Sequence, residues 1–210
     1  KMSKDHDFLF KVVIIGSVGV GKTNVLLRLV SNTFDEDSRT TIGVDFKFYE
    51  YEHKGHQVCV QLWDTAGQEK LEAIAATYYR DAVGAVIIYD ITSESSFNKV
   101  PYWLKEIRHH SFNSKIILLG NKSDLVSQRE VQTSTAFEFA RQEGLFFMEV
   151  SAKTNENQGV QSATHVLIGD IVDAMTKGER KSSPKDKLVE LKQEGLKSHE
   201  AKKSEKSGCC

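Results

Sequence analysis

The chain lacks several features that mark particular classes of protein. Its 210 residues include three cysteines, whose positions match neither a disulfide framework nor a zinc-binding spacing. No stretch reaches the roughly 18 uninterrupted apolar residues of a membrane-spanning helix. No apolar signal-peptide core precedes Phe8, so we expect a protein that is not secreted. The formal net charge of −1 gives no whole-protein case for nucleic-acid binding.

The remaining composition is that of one globular domain followed by a polar tail. Hydrophobic residues make up 40 % and charged residues 27 %, which is enough to bury one substantial core. Cys59 lies in an apolar run and is interpreted as a small core residue. Residues 178–210 carry nine Lys or Arg and six Asp or Glu, a net of +3. We therefore predict a folded domain over residues 8–177 and a flexible, disordered tail over 178–210.

Apolar runs alternate with amphipathic runs along the first 177 residues. Strand patterns lie at 8–15, 44–51, 58–63, 85–89, 116–119 and 146–150. Helical patterns lie at 22–31, 69–80, a segment that Ser93 could cap, 133–143 and 160–174. Within them, Pro101 predicts a kink or a delayed start, and Gly169 weakens the last helix. The order predicts an α/β fold: a mixed six-stranded sheet, mostly parallel with one antiparallel edge pair, and helices on both faces.

The stretch 16–23 reads Gly-Ser-Val-Gly-Val-Gly-Lys-Thr and lies between a strand pattern and a helix pattern. Glycines let such a loop turn tightly, so that successive backbone N–H groups can point at a phosphate. The candidate phosphate-binding residues are Ser17, Val18, Gly19, Val20, Gly21, Lys22 and Thr23. Lys22 would add a charge at the outer phosphates, and the Thr23 hydroxyl could ligate Mg²⁺ at the helix N-terminus. The alternative is a glycine-rich turn with an accidental lysine.

A second motif, Asp64-Thr65-Ala66-Gly67-Gln68, follows the third strand pattern. Asp64 could hold Mg²⁺ through water, because Mg²⁺ keeps much of its hydration shell. Gly67 offers an unobstructed N–H to a terminal phosphate, and Gln68 could orient an attacking water. The alternative is a turn with a solvated carboxylate, which the neighbouring phosphate loop disfavours.

Two further motifs predict recognition of guanine. Asn121-Lys122-Ser123-Asp124 follows the fifth strand pattern, and Asp124 could accept hydrogen bonds from N1 and N2 of guanine. Adenine lacks that pair of donors and would leave the carboxylate unpaired. Ser151-Ala152-Lys153 follows the last strand pattern and offers a backbone amide to a base carbonyl oxygen. The joint order and spacing of these motifs make the prediction specific.

These residues resemble those of Rab proteins, a branch of the Ras superfamily of small GTPases with a P-loop NTPase fold. Further Rab-like stretches are Ile42-Gly43-Val44-Asp45-Phe46, Tyr78-Tyr79-Arg80 and Tyr89-Asp90-Ile91-Thr92. The resemblance implies GTP or GDP as bound nucleotide, Mg²⁺ as cofactor and slow GTP hydrolysis with Gln68 as catalytic residue. It also implies that Thr41 reaches Mg²⁺ and the γ-phosphate, and that Phe34 packs against the guanine ring.

The resemblance further implies a surface for protein partners. Phe46, Trp63 and Tyr78 match the aromatic triad through which Rab proteins present their GTP state, with core packing as the alternative. Ile42 and Leu71 would complete this surface, although Lys70-Leu71 stands where Rab proteins usually have Arg-Phe. The implied partners are effectors, an exchange factor, a GTPase-activating protein, a GDP dissociation inhibitor and a prenylation escort protein. We expect no nucleic-acid partner and a monomeric GTP-binding domain.

The last two residues, Cys209 and Cys210, match a doubly geranylgeranylated end. One lipid chain anchors marginally and two anchor stably, so the pair makes physical sense; two exposed thiols are the alternative. Acidic residues interspersed in the basic tail leave only a modest attraction to anionic lipid. We expect the cytoplasmic face of an endosomal or secretory membrane, with a soluble cytosolic pool.

Val18 departs from the family pattern, since Rab proteins commonly carry Ser and Ras carries Gly at this position. A stiff β-branched side chain there would crowd Gln68 and an inserted arginine finger. Either hydrolysis is weak while GTP binds tightly, or neighbouring residues have adjusted and Val18 is tolerated.

The predicted function is a membrane-anchored GTP/GDP switch in vesicle traffic. A GTP-locked interaction module and a small-molecule kinase are the alternatives, and the guanine-reading residues disfavour the kinase.

Overall fold

The computed structural model describes residues 6–37, 44–65 and 78–177. The strands in these ranges are β1 (Phe8–Ile15), β2 (Val44–His53), β3 (His56–Thr65), β4 (Gly84–Asp90), β5 (Lys115–Asn121) and β6 (Phe146–Glu149). The α-helices that lie wholly within these ranges are α1 (Lys22–Ser31), α2 (Glu94–Asn98), α3 (Val100–His110), α4 (Thr133–Glu143) and α5 (Gly159–Thr176), and two short 3-10 helices cover Val126–Gln128 and Glu156–Gln158. Most of the helix predicted over 69–80 and the whole predicted tail lie outside the described residues.

The strands form one six-stranded sheet in the order β2-β3-β1-β4-β5-β6. Strand β2 runs antiparallel to β3, and all other neighbours are parallel, which confirms the predicted mixed sheet. The connection between β2 and β3 is shorter than the predicted strand bounds of 44–51 and 58–63 imply, because His53 pairs directly with His56. Its two turn residues, Lys54 and Gly55, have φ values of 50° and 83°, as a two-residue turn between twisted strands requires.

Two apolar clusters cover the two faces of the sheet. Alternate residues of β1 serve opposite clusters: Val12 and Ile14 belong to the one that includes α1 and α5, Val13 and Ile15 to the one that includes α3 and α4. Cys59 is buried in β3 as predicted. None of the helices in the described ranges is both long and apolar enough to cross a membrane.

The segment after β4 is broken into two helices. Ser93 caps α2, since its hydroxyl accepts a hydrogen bond from the Ser96 N–H. Helix α3 then begins at Val100 with Pro101 in its first turn, where the missing N–H costs nothing. The predicted delayed start is therefore confirmed. Helix α4 ends as predicted at Gly144, whose φ is 68°.

The β2–β3 hairpin lies against α5. The hydroxyl of Tyr49 is 2.7 Å from Nε2 of His165, and the Tyr51 ring stacks on the same imidazole at 3.9 Å. A Cβ at Gly169 would lie 2.9 Å from the His53 ring. Gly169 therefore makes room for the hairpin, which explains a glycine inside a long helix.

Candidate functional site

The sequence motifs lie beyond the carboxyl ends of four strands. Ile14 of β1 pairs with Asp64 of β3, and Asp90 of β4 pairs with Asn121 of β5. The loops that follow these strand ends are therefore neighbours at one edge of the sheet. This is the edge where open α/β sheets bind ligands.

Two glycines let the phosphate-loop candidate approach the strands behind it. At Gly16, with φ of +145°, an added Cβ would collide with the carbonyl oxygen of Ile88. At Gly21, with φ of +91°, it would lie 2.5 Å from Nδ2 of Asn121. That amide nitrogen donates to the carbonyl oxygen of Val20 at 2.8 Å. The loop is thus held against the sheet by a side chain from β5.

Lys22 brings its charge into the centre of this loop. The side chain is 6 % exposed, and its Nζ donates to the carbonyl oxygens of Gly16 at 2.9 Å and Ser17 at 2.8 Å. The Val18 side chain is 48 % exposed, whereas the Val20 side chain is buried in the core. Backbone N–H groups, a buried ammonium and the start of α1 together make an anion-binding cradle.

Thr23 and Asp64 face each other across the start of α1 and the end of β3. The Thr23 Oγ1 donates to Oδ2 of Asp64 at 2.6 Å, and Asp64 is almost fully buried. The adjoining Thr65 hydroxyl donates to the carbonyl of Ile14 at 2.9 Å, which fixes the end of β3. A hydroxyl and a carboxylate are the hard oxygen ligands that Mg²⁺ prefers. The two side chains therefore fit a magnesium site.

The predicted base-reading residues are tied to one another by hydrogen bonds. Oδ1 of Asn121 accepts from the backbone N–H of Ala152 at 3.1 Å. The Ser151 hydroxyl donates to Oδ1 of Asp124 at 2.5 Å, and it accepts from the Thr154 N–H at 3.0 Å. The loops after β5 and β6 consequently form one unit, and Asn121 joins that unit to the phosphate loop through Val20.

Lys122 is held by a residue to which the sequence assigned no role. Its Nζ lies 2.5 Å from Oδ2 of buried Asp90, and its φ is +66°. The other carboxylate oxygen of Asp90 accepts from the N–H of Thr92 at 2.9 Å. Asp90 ends β4 as Asn121 ends β5, and this equivalent position is the signal that could have identified it. Sequence analysis also assigned no role to Arg28 on α1, whose side chain donates to the carbonyls of Ala152 and Lys153.

Phe34 and Lys153, both predicted to act at the base, lie close to each other. Nζ of Lys153 is 5.9 Å from the centre of the Phe34 ring and 2.7 Å from Oε1 of Glu36. The hydrogen bond between Glu36 and Lys153 lowers the pKa of the carboxyl and raises the pKa of the ammonium. The segment before residue 38 is thereby linked to the 151–153 loop.

An aromatic surface lies on the β2–β3 pair. Phe46 is 45 % exposed and stacks on Trp63 with ring centres 5.4 Å apart, and Tyr78 lies 6.0 Å beyond Trp63. Nζ of Lys11 covers the Trp63 ring at 4.5 Å. Phe48, which sequence analysis did not single out, is 54 % exposed and meets Phe46 edge-on. The exposure of Phe46 argues against core packing as its role.

Several predicted site residues lie outside the described residues. They are the predicted switch and catalytic residues Thr41, Ile42, Gly67, Gln68 and Leu71 and the predicted lipidation sites Cys209 and Cys210. Their assigned roles stay predictions. The remaining predicted phosphate, base and magnesium residues all lie at the edge described above.

Comparisons with known proteins find relatives over most of this chain. A family model described as the Ras family matches residues 11–173. The Ras-related protein RABE1e of Arabidopsis thaliana is 41 % identical over 98 % of this chain and 94 % of its own length. The Ras-related protein Rab11A of Lotus japonicus is 47 % identical over 81 % of this chain and 75 % of its own. The Ras-related protein YPTC6 of Chlamydomonas reinhardtii is 41 % identical over the whole chain and 98 % of its own.

Proposed function

The chain belongs to the Ras family as a Rab-type small GTPase that binds GTP and GDP, hydrolyses GTP and takes part in vesicle trafficking, and from this we propose that it is a membrane-anchored switch that recruits effectors when GTP is bound. The proposal is carried by the convergence of Lys22, the Thr23–Asp64 pair and Asn121 at one sheet edge. As a Rab protein it works with regulators and effectors and associates with endomembranes. The family match supports GTP hydrolysis and argues against the alternative of a small-molecule kinase.

The nucleotide binds with its phosphates on the 16–23 loop and its base between the loops after β5 and β6. Backbone N–H groups of the loop and the buried Lys22 ammonium hold the phosphates, in place of the two carbonyls that Lys22 now contacts. Asp124, oriented by Ser151, accepts from guanine N1 and N2. Phe34 covers one face of the ring, and a backbone amide of 151–153 meets the base carbonyl.

Thr23 and Asp64 would hold Mg²⁺, with Thr41 as a further ligand. When bound, the ion would neutralise charge on the outer phosphates. The hydrogen bond from Thr23 to Asp64 keeps both oxygens at the phosphate side of the loop. This arrangement explains why a hydroxyl follows Lys22 and why a carboxylate ends β3.

Hydrolysis uses Gln68 to orient the attacking water, and Val18 limits it. The Val18 side chain is exposed at the phosphate loop. Its β-branched bulk would crowd Gln68 and any inserted arginine, a group worth about 10³–10⁵ in rate in such enzymes. We therefore expect tight GTP binding, weak hydrolysis and a poor response to an activating protein.

The GTP state is read by partner proteins at the aromatic surface. Contacts of Thr41 and Gly67 with the γ-phosphate would order the two segments that contain these residues, and hydrolysis would release both segments. Strand β2 continues from the first of these segments and carries Phe46, while β3 carries Trp63 and leads into the second. Ile42, Leu71 and Tyr78 complete the surface for effectors and exchange factors.

Membrane attachment rests on two lipid chains at the end of the tail. Geranylgeranyl groups on Cys209 and Cys210 would anchor the domain stably, since two chains together exceed the marginal binding of one. A prenylation escort protein and a GDP dissociation inhibitor would handle the lipidated chain. The resulting location is the cytoplasmic face of an endosomal or secretory membrane, with a cytosolic pool.

Single-turnover GTP hydrolysis by the full chain tests the switch, with a Val18→Ser variant beside it. The variant should hydrolyse GTP clearly faster and respond to a Rab-activating domain. A Val166→Ser variant, altered at an exposed valine of α5, is the matched control and should behave like the original chain. If both valines prove neutral and hydrolysis runs at the unaided rate of about 10⁻⁴ s⁻¹, Val18 is tolerated and the protein cycles normally.

The second candidate function is a GTP-locked interaction module. The exposed position of Val18 at the phosphate loop favours it. The nucleotide content of the purified chain separates the two: mainly GTP indicates the locked module, and mainly GDP indicates the cycling switch.

A further inference from the structure

Arg28 bonds to the loop that follows β6 although it lies on α1. Its Nε donates to the carbonyl oxygen of Ala152 at 2.8 Å, and its Nη2 donates to that of Lys153 at 2.9 Å. Its Nη1 donates to the carbonyl oxygen of Asn32 at 2.7 Å. One guanidinium therefore bonds to three backbone carbonyls in two segments.

This geometry requires arginine. Two consecutive loop carbonyls receive parallel N–H groups from the planar fork of the guanidinium, whereas a lysine ammonium is a point donor that cannot match both in the same way. The carbonyl of Ala152 is held from α1, and the N–H of the same residue donates to Asn121. Both sides of Ala152 are thus fixed by separate elements.

The position of Arg28 itself is fixed from a third element. Nε2 of Gln161 on α5 donates to the Arg28 carbonyl at 3.1 Å, and Oε1 of Gln161 accepts from Nδ2 of Asn155 at 2.9 Å. Asn155 follows the 151–153 loop, and its N–H donates to the Ser151 carbonyl at 2.8 Å. Helix α1, helix α5 and the loop therefore form one hydrogen-bonded unit.

We propose that Arg28 is a positioning residue for guanine recognition. It sets the distance from α1 to the 151–153 loop, so that a loop amide meets the 6-oxo group of the base without reorganisation. This inference rests on the proposed nucleotide site. In this role Arg28 acts through its hydrogen bonds to the loop and not through a contact with the nucleotide. It also couples the two ends of the ligand, because α1 begins at Lys22 under the phosphates and holds the base loop about 1.7 turns later, at Arg28.

A role confined to fold stability would weaken all nucleotides equally, so the test compares ligands that differ only at the base. Guanosine diphosphate has the 6-oxo group, inosine diphosphate keeps it but lacks the 2-amino group, and 6-thioguanosine diphosphate has sulfur, a weaker acceptor, at that position. Affinities are measured by titration of the full chain and of Arg28→Met, which keeps the aliphatic stem. Arg28→Lys keeps the charge and serves if the methionine variant fails to fold.

Loss of one well-placed hydrogen bond predicts a weakening of about fivefold for guanosine and inosine diphosphates in Arg28→Met. The weakening for the 6-thio ligand should be less than about twofold, because its contact with the loop is already poor. Arg28→Lys should fall between. Arg108→Met is the matched control. Arg108 also donates to a backbone carbonyl and to a carboxylate, both of Glu143 at the end of α4. This substitution should leave the affinities for all three ligands unchanged.

Equal weakening for all three ligands, or no weakening for any, would overturn the positioning role. An original chain that binds adenosine and guanosine diphosphates equally well would instead remove the guanine site on which the inference rests. The two failures are therefore distinguishable in one set of titrations.

Discussion

The phosphate half and the base half of the nucleotide cradle are built in different ways. The centre of the phosphate half is one continuous segment, residues 16–23, which supplies backbone amides and one buried lysine. The base half collects side chains from residue 34, from 121–124 and from 151–153. Hydrogen bonds join the last two segments, and the Lys153 ammonium lies over the Phe34 ring. The first half depends on local backbone conformation, whereas the second exists only when β5, β6 and α1 are in place.

Asn121 is the joint between the two halves. It is 2 % exposed, donates to Val20 in the phosphate loop and accepts from Ala152 in the base loop. Because Gly21 has no side chain, it leaves the space that the side-chain amide of Asn121 occupies. Substitutions in the phosphate half, in the base half and at Asn121 should therefore change the affinities for guanosine, which has no phosphate, and for guanosine diphosphate in different proportions.

The largest effect is expected in the phosphate half. Lys22→Met removes a buried charge that would meet the phosphates, a loss of about 3 kcal/mol or on the order of 100-fold in affinity for guanosine diphosphate. Guanosine, which has no phosphate, should bind as before. Titration of both ligands checks this, and an equal loss for guanosine would show that Lys22 supports the whole cradle.

The next effect separates base from phosphate. Asp124→Asn replaces an acceptor of two N–H groups by one acceptor and one donor, so guanosine diphosphate should weaken by about 2 kcal/mol, roughly 30-fold. Xanthosine diphosphate has a carbonyl where guanine has its 2-amino group, so it should bind the variant better than the original chain. Competition between the two nucleotides measures this exchange. Unchanged preference would contradict the assignment of Asp124.

A smaller effect that spans both halves is expected at the joint. Asn121→Ala leaves the Val20 carbonyl and the Ala152 amide without their partner, and about 1.4 kcal/mol, or tenfold, should be lost with guanosine diphosphate. Guanosine should lose a similar factor, in contrast to its behaviour with Lys22→Met. Thermal unfolding of the nucleotide-free chain serves as the control for a general loss of stability.

The smallest effect is expected at the rim of the base half. Glu36→Gln breaks an exposed pair with Lys153, so dissociation of guanosine diphosphate should change by less than about twofold. The pair lowers the pKa of Glu36 below its ordinary value. Its contribution is therefore complete above that ordinary value and is lost only as the pH falls through the lowered pKa. Dissociation rates at pH 8 and pH 6 should give the same ratio of variant to original; a ratio that changes would contradict this.

Much of the fold could be predicted from the sequence because its elements are locally consistent. Buried strands such as β4 are largely continuous apolar runs, and Pro101 indicated that α3 starts late. The hairpin ends were wrong by two residues each, because Lys54 adopts a left-handed conformation that periodicity does not reveal. The reason for a glycine at position 169 could not be predicted either, because the side chain that occupies this space, His53, lies far away in sequence on β2.

Within the candidate site, the bounds of the strand and the helix around residues 16–21 were predictable to the residue, but the contacts of Arg28 and Asp90 were not. On an amphipathic helix, Arg28 has the pattern of a solvated charge, and its acceptor at Ala152 lies 124 residues away. Asp90 resembles an ordinary strand end until Lys122 pairs with it. Both residues act on groups that only folding brings near.

By itself, the sequence determined the strand–loop–helix unit around residues 16–23, the order of strands and helices, and the residue types that can bind phosphate, magnesium and guanine. These depend on local conformation and on the chemistry of single side chains. The tertiary structure decided how the base half is held: which side chains fix the 151–153 loop, and that Asn121 joins it to the phosphate loop. Hydrogen bonds are short and directional, so such partners are determined by the packing of whole elements and not by their neighbours along the chain.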